Sequence, residues 1–191
     1  MQRIPPLAAP YAPDVQASFD AILPPGADPL VLFRTLATSP RHWSRFRAGS
    51  LLDSGPLSLR GREIVIDRTC ARAGCEYEWG VHVAIFAQAA GLSDREIEAT
   101  VAAPAGADCW TPAEQALVAA ADALHERATL NDAEWSALRA HYDEPQILEV
   151  LLLCGFYRTV AYVANGLALP TEPGAARFPA SRPFAQPEAY G

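Results

Sequence analysis

The sequence lacks the paired spacings that commonly hold a metal or a redox disulfide. Its four cysteines, at 70, 75, 109 and 154, include no Cys-x-x-Cys, and its four histidines include no His-x-x-x-His. A zinc framework is therefore not expected, although Cys75, Glu78, His82 and Glu63 are residue types that zinc accepts. Nor do so few, unevenly placed cysteines make a disulfide scaffold, so free thiols are expected. No uninterrupted run of about 18 apolar residues occurs, and the N-terminus MQRIPPLAAPYAPD lacks the apolar stretch of a secretory signal, which predicts a cytoplasmic protein. The net charge is −7 with no basic stripe, which argues against nucleic acid or an anionic membrane as partner and leaves small molecules and proteins. No segment alternates polar and apolar residues for long enough to specify a sheet.

What is present is a chain rich in alanine and leucine, half of it hydrophobic, with glycine mostly at helix ends; an all-α fold follows. Pro5, Pro6, Pro10 and Pro13 make residues 1–13 an extended arm lying on the protein's own surface or on a neighbouring subunit. Asp14 is placed to cap a helix to about Leu23. Asp28 is placed to cap a second with Pro29 at its first position, and a third follows Ser39-Pro40 with Trp43, Phe46 and Leu51 on one face. Ser58 caps a helix over 59–72, and the next runs from Cys75 or Glu76 to Ala90, closed by Gly91. Ser93 with Glu96, and Thr111 with Glu114, are capping boxes for helices to about Ala102 and Arg127. A helix from Asn131 or Asp132 to about Tyr142 precedes a strongly apolar one over 144–163, which reads as central core. Residues 170–191 form a Pro-rich tail, with Phe178, Phe184 and Tyr190 as anchors that could wrap a partner subunit. One domain, with its core over about 30–170, accommodates all of this.

The chemistry concentrates in 59–90. If a helix starts after Gly74, then Cys75, Glu78 and His82 occupy a sector of roughly 60°, flanked by Trp79, Val81, Ile85, Phe86 and Ala89. Reactive groups on an apolar face suggest a site. The helix start, His82 and the neighbouring Arg72 would each favour a Cys75 thiolate, so a low thiol pKa is predicted; the plainer alternative is a buried structural cysteine. Glu78 and His82 are an i, i+4 pair able to share a proton, against the alternatives of a solvated glutamate and a core histidine. Glu63, set among Ile64, Val65 and Ile66, is a candidate proton acceptor rather than a surface charge. Cys70 is a possible resolving thiol or simply packs, and Tyr77 and Trp79 read as pocket wall.

The pattern Glu63-x11-Cys75-x2-Glu78-x3-His82 resembles the Glu-x11-Cys-x2-Cys-x3-His signature of the alkylhydroperoxidase D proteins in the carboxymuconolactone decarboxylase superfamily. The resemblance extends less specifically through residues 91–99, 111–124 and 149–169. It implies an all-helical bundle assembled as a trimer or hexamer, and a relay in which Cys75 matches the first cysteine, His82 the histidine and Glu63 the glutamate. Glu78 stands where the second cysteine would be, so the usual disulfide cannot close.

Two enzymatic expectations and one other follow. In the first, Cys75 attacks a hydroperoxide and is restored by Cys70 or an external thiol, with His82, Glu63 and Glu78 as the proton relay. In the second, a non-redox decarboxylase or lactone-acting enzyme uses His82 and Glu78 as acid and base on a small carboxylated or cyclic substrate. The third is a non-catalytic assembly module. None requires a cofactor.

Overall fold

The computed structural model describes residues 2–180, so Phe184 and Tyr190 lie outside the described residues. The helices are α1 (Pro13–Asp20), α2 (Val31–Leu36), α3 (Pro40–Ala48), α4 (Leu59–Arg72), α5 (Glu76–Phe86), α6 (Asp94–Ala102), α7 (Pro112–Arg127), α8 (Asp132–Arg139) and α9 (Glu144–Gly166); the described residues contain no strand. The fold is all-α.

Local chemistry explains most boundaries. The Ser58 hydroxyl accepts from Gly61 N–H, and Ser93/Glu96 and Thr111/Glu114 close reciprocal capping boxes. Asn131/Glu134 and Asp143/Gln146 form two more. The first two helices start differently from expectation. Ala12 precedes α1, leaving Asp14 inside its first turn, and α2 opens at Leu30 rather than at Asp28. Pro13 and Leu30 explain this: proline needs no N–H partner at a first position, and the 28–30 segment stays extended. The fifth helix ends at Phe86 instead of Ala90, and Ile85, still within it, and Ala89, beyond it, are exposed rather than on the buried face.

Helix α4 organises the rest. It packs against α5, α6, α7 and α9, and every residue from Gly61 to Ala71 is buried. Surrounded on all sides, its polar residues must find partners within the protein. The α9 helix is long and apolar enough to cross a membrane by length and composition, but half of its most apolar window is buried in the bundle, as in a core helix.

The arm and the described part of the tail, residues 170–180, both lie on the chain's own surface. Arg3 N–H donates to Leu167 O and Leu7 N–H to Arg34 O. After α9 the chain turns back over α5, where Ala176 N–H donates to Gly80 O at 3.0 Å and Phe178 N–H to the Glu76 carboxylate at 2.9 Å. The Phe178 ring sits 5.0 Å from that of Trp79. Gly80 permits this crossing, because a Cβ there would overlap the Ala176 carbonyl oxygen. The strap therefore clamps the back of α5 and presses its front onto α4.

Candidate active site

That front carries Cys75, Glu78 and His82, and the facing side of α4 carries Glu63. All four are buried. Glu63 is fully occupied: one oxygen accepts from Arg62 Nε at 2.9 Å, and the other bonds His82 Nδ1 at 2.8 Å. The opposite imidazole nitrogen, Nε2, is 3.5 Å from Glu78 Oε1. Tyr157 of α9 meets the His82 ring edge-on at 5.0 Å, and Phe86 lies 5.2 Å away, so the imidazole is fixed in plane and position.

Burial disfavours a charged imidazole, but the hydrogen bonds and charges of Glu63 and Glu78 outweigh it and raise the His82 pKa to about 10. At neutral pH His82 is an imidazolium, with a proton on Nε2 facing Glu78. Glu78 contributes only one oxygen to this contact; its Oε2 is buried without a hydrogen-bond partner among the described residues. The trio can therefore deliver a proton, and it offers one acceptor atom to whatever enters.

The thiols behave otherwise than expected. Cys75 is the residue preceding the first turn of α5, and its N–H donates to Cys70 O at 2.9 Å. Burial pushes its thiol up to about 12, even though backbone bonds from Glu78 and Tyr77 act in the opposite sense. The predicted low pKa is thus corrected, because desolvation outweighs the helix terminus. Arg72 gives no help, being engaged by Glu126 and, at 3.4 Å, by Asp122 on α7. Cys70 is completely buried, and its thiol is likewise raised well above the usual range, first by burial and then by the neighbouring Cys75, Glu78, Asp67 and Glu63. Both thiols are free.

Tyr77 and Trp79 anchor α5. The Tyr77 hydroxyl accepts from Leu32 N–H at 2.9 Å and bonds Glu172, while Trp79 Nε1 donates to Thr100 Oγ1 at 2.9 Å.

Three residues of the site escaped the sequence argument: Arg62, which holds Glu63; Tyr157, which holds His82; and Asp67. The last is 1 % exposed, one turn beyond Glu63 on α4, with neither carboxyl oxygen hydrogen-bonded within the described residues. Burial, opposed by His82 and reinforced by Glu63, raises its pKa well above the carboxylate range. Its signal was the i, i+4 relation to Glu63, the same spacing that linked Glu78 to His82. No group of three ligand-type side chains among the described residues is arranged to hold a metal ion. A cavity of about 360 Å³ between α4, α7 and α9, lined by Thr69, His125, Cys154 and Arg158 among others, includes none of these site residues.

Comparison with known proteins fits this geometry. No curated protein sequence matches the chain. The structure of an alkylhydroperoxidase AhpD core, an uncharacterized peroxidase-related protein from Ralstonia eutropha JMP134, is similar with a TM-score of 0.78 at 21 % identity, over 90 % of this chain and 92 % of that one. An uncharacterized peroxidase-related protein from Silicibacter sp. TM1040 is similar at 0.77 and 19 % identity, with the same coverage. The debrominase Bmp8 in complex with 2,3,4-tribromopyrrole is similar at 0.72 and 16 % identity, again over 90 % and 92 %. These likenesses establish an AhpD-like fold. Residues 37–123, which carry Glu63, Cys75, Glu78 and His82, match the model of the carboxymuconolactone decarboxylase family.

Proposed function

We propose that this chain is a non-redox acid–base enzyme acting on a small carboxylated or cyclic substrate, with the His82 imidazolium as proton donor and Glu78 as the facing carboxylate. The observation that carries this reading is an imidazole held on both nitrogens by carboxylates, 2.8 Å from Glu63 and 3.5 Å from Glu78, with Glu78 Oε2 left vacant. In a decarboxylation the C–C bond breaks, carbon dioxide leaves, and the electron pair remains on the substrate as a carbanion or enolate. His82 Nε2–H then protonates that carbon, and the imidazole regains a proton from solvent. Glu63, tied to Arg62, keeps the imidazole charged and oriented but does not face the substrate. Residues of about 30–170 act as one domain in this reading, and copies of the chain assemble as a trimer or hexamer.

The thiol-peroxidase reading is the second, favoured by the Cys75 N–H to Cys70 O bond of 2.9 Å that joins two free cysteines. There the Cys75 thiolate would take the distal oxygen of a hydroperoxide, releasing alcohol. The resulting sulfenic acid would condense with Cys70 or an external thiol, releasing water. It ranks lower because Cys75 is wholly buried and its thiol stays protonated near neutral pH.

Release of carbon dioxide from a panel of carboxylated γ-lactones separates the two. The acid–base reading expects His82→Gln to lose about 10²–10⁴-fold in turnover, with Cys75→Ala close to the parent. Hydroperoxide consumption that disappears in Cys75→Ala, with no lactone turned over, would replace it with the thiol reading.

A further inference from the structure

We infer that Asp67 is a further catalytic residue of this site, whose carboxyl group donates a hydrogen bond to the substrate's carbonyl oxygen as that oxygen gains negative charge. The inference rests on the acid–base reading above.

Placement is the first argument. Asp67 follows Glu63 by four residues on α4, about 6 Å along the helix axis on the same side. Glu63 holds His82, so Asp67 stands beside the group that delivers the proton. The ionisable groups facing it are His82 from α5, and Glu63 and Cys70 from its own helix. Tyr157 of α9 closes the cluster through its ring contact with His82.

Vacancy is the second. Asp67 is 1 % exposed, and both of its oxygens lack a partner among the described residues, as does Glu78 Oε2 in the same cluster. Buried polar atoms are nearly always satisfied, so several unsatisfied ones beside one imidazole mark a place where a ligand completes the bonding.

Protonation state is the third. A charged Asp67 would add a third buried carboxylate around a single imidazolium, and burial raises its pKa well above the carboxylate range, which favours the neutral acid. A neutral carboxyl in an apolar site is a donor, able to meet an oxygen on which charge develops. The electron pair released when carbon dioxide departs moves onto the carbonyl oxygen as an enolate. The Asp67 O–H bonds that oxygen without transferring its proton, and His82 supplies the proton that reaches carbon. The substrate class narrows accordingly to acids whose carboxyl-bearing carbon is alpha to a carbonyl, directly or through an intervening C=C bond, so that the released electron pair can reach that carbonyl oxygen.

Two measurements on the intact protein test this without a known substrate. One is the infrared carbonyl band of a protonated carboxyl at neutral pH, expected in the parent and absent in Asp67→Asn. The other is binding of 4-nitrophenol, a stand-in for an enolate oxygen, read from its visible absorbance. Asp67→Asn keeps a donor and should bind within about threefold of the parent, whereas Asp67→Leu should bind at least about tenfold more weakly. Equal binding by Asp67→Leu, no binding by the parent, or absence of the infrared band overturns the inference. The band is read on the parent and the Asn variant, so the test survives if Asp67→Leu does not fold. Failure of the acid–base reading has a different signature: nitrophenol binding still depends on Asp67 while turnover is indifferent to His82→Gln.

Discussion

Arg68 and Asp67 are adjacent on α4, equally buried, and opposite in circumstance. Arg68 makes two parallel bonds to Asp122 at 2.7 and 2.8 Å, and its remaining nitrogen reaches Thr100 O at 3.0 Å. Asp67 bonds nothing among the described residues. The difference separates two uses of buried polarity. A charge whose hydrogen bonds are met inside the fold holds helices together, here α4 to α6 and α7, and removing its partner is costly. A polar group left vacant contributes no stability and points to a function. The same division runs through α5: its back is satisfied by the strap, Leu32 and Thr100, while its front leaves Glu78 Oε2 open.

The contrast can be broken at four places. The largest effect should come from Asp122→Ala, which leaves Arg68 buried without its carboxylate and should cost about 3–5 kcal/mol in urea denaturation. A loss under about 1 kcal/mol would mean that Arg68 is not the structural member of the pair. Next, Gly80→Ala forces the Ala176 carbonyl off α5 and should cost about 1–3 kcal/mol, with faster proteolysis of the strap.

The third effect is a pH slope. The folded-state pKa of His82 is raised, to about 10 from an unfolded value near 6.5. Its contribution to stability is therefore complete below about pH 6.5 and is lost as pH rises toward 10, at no more than about 1.4 kcal/mol per pH unit. His82→Gln should flatten the dependence of melting temperature on pH across that window. Smallest is Asp67→Leu, which removes a vacant polar group and should leave stability unchanged or raise it by about 1 kcal/mol. A loss above 2 kcal/mol would move Asp67 into the structural class with Arg68.

Much of this was legible in the sequence, for reasons the individual residues make clear. Ser93/Glu96 and Thr111/Glu114 announce helix starts by local hydrogen bonding, which tertiary packing does not override. Glu63, Glu78 and His82 were found because helical spacing and the motif agree. Asp67 was not, because α4 is buried on every side and so has no amphipathic stripe to show that an aspartate in IVIDRT is inside. Tyr157 depends on a contact across 75 residues of chain that no local pattern encodes, and the bond of Arg62 to its neighbour Glu63 gains its meaning only from the Glu63–His82 contact 19 residues on. The Cys75 thiolate was misjudged for a related reason: a helix start is visible in sequence, whereas the depth of burial that overrides it is set by α4 and α9.

The central claim is that His82 rests as an imidazolium poised to donate a proton. Nitrogen-15 NMR of the histidine side chains, with His82→Gln to assign the signal, measures this directly. Both ring nitrogens of His82 should remain protonated at pH 7.5, with the titration midpoint near 10. A neutral imidazole at pH 7.5, with one nitrogen unprotonated, would contradict the account.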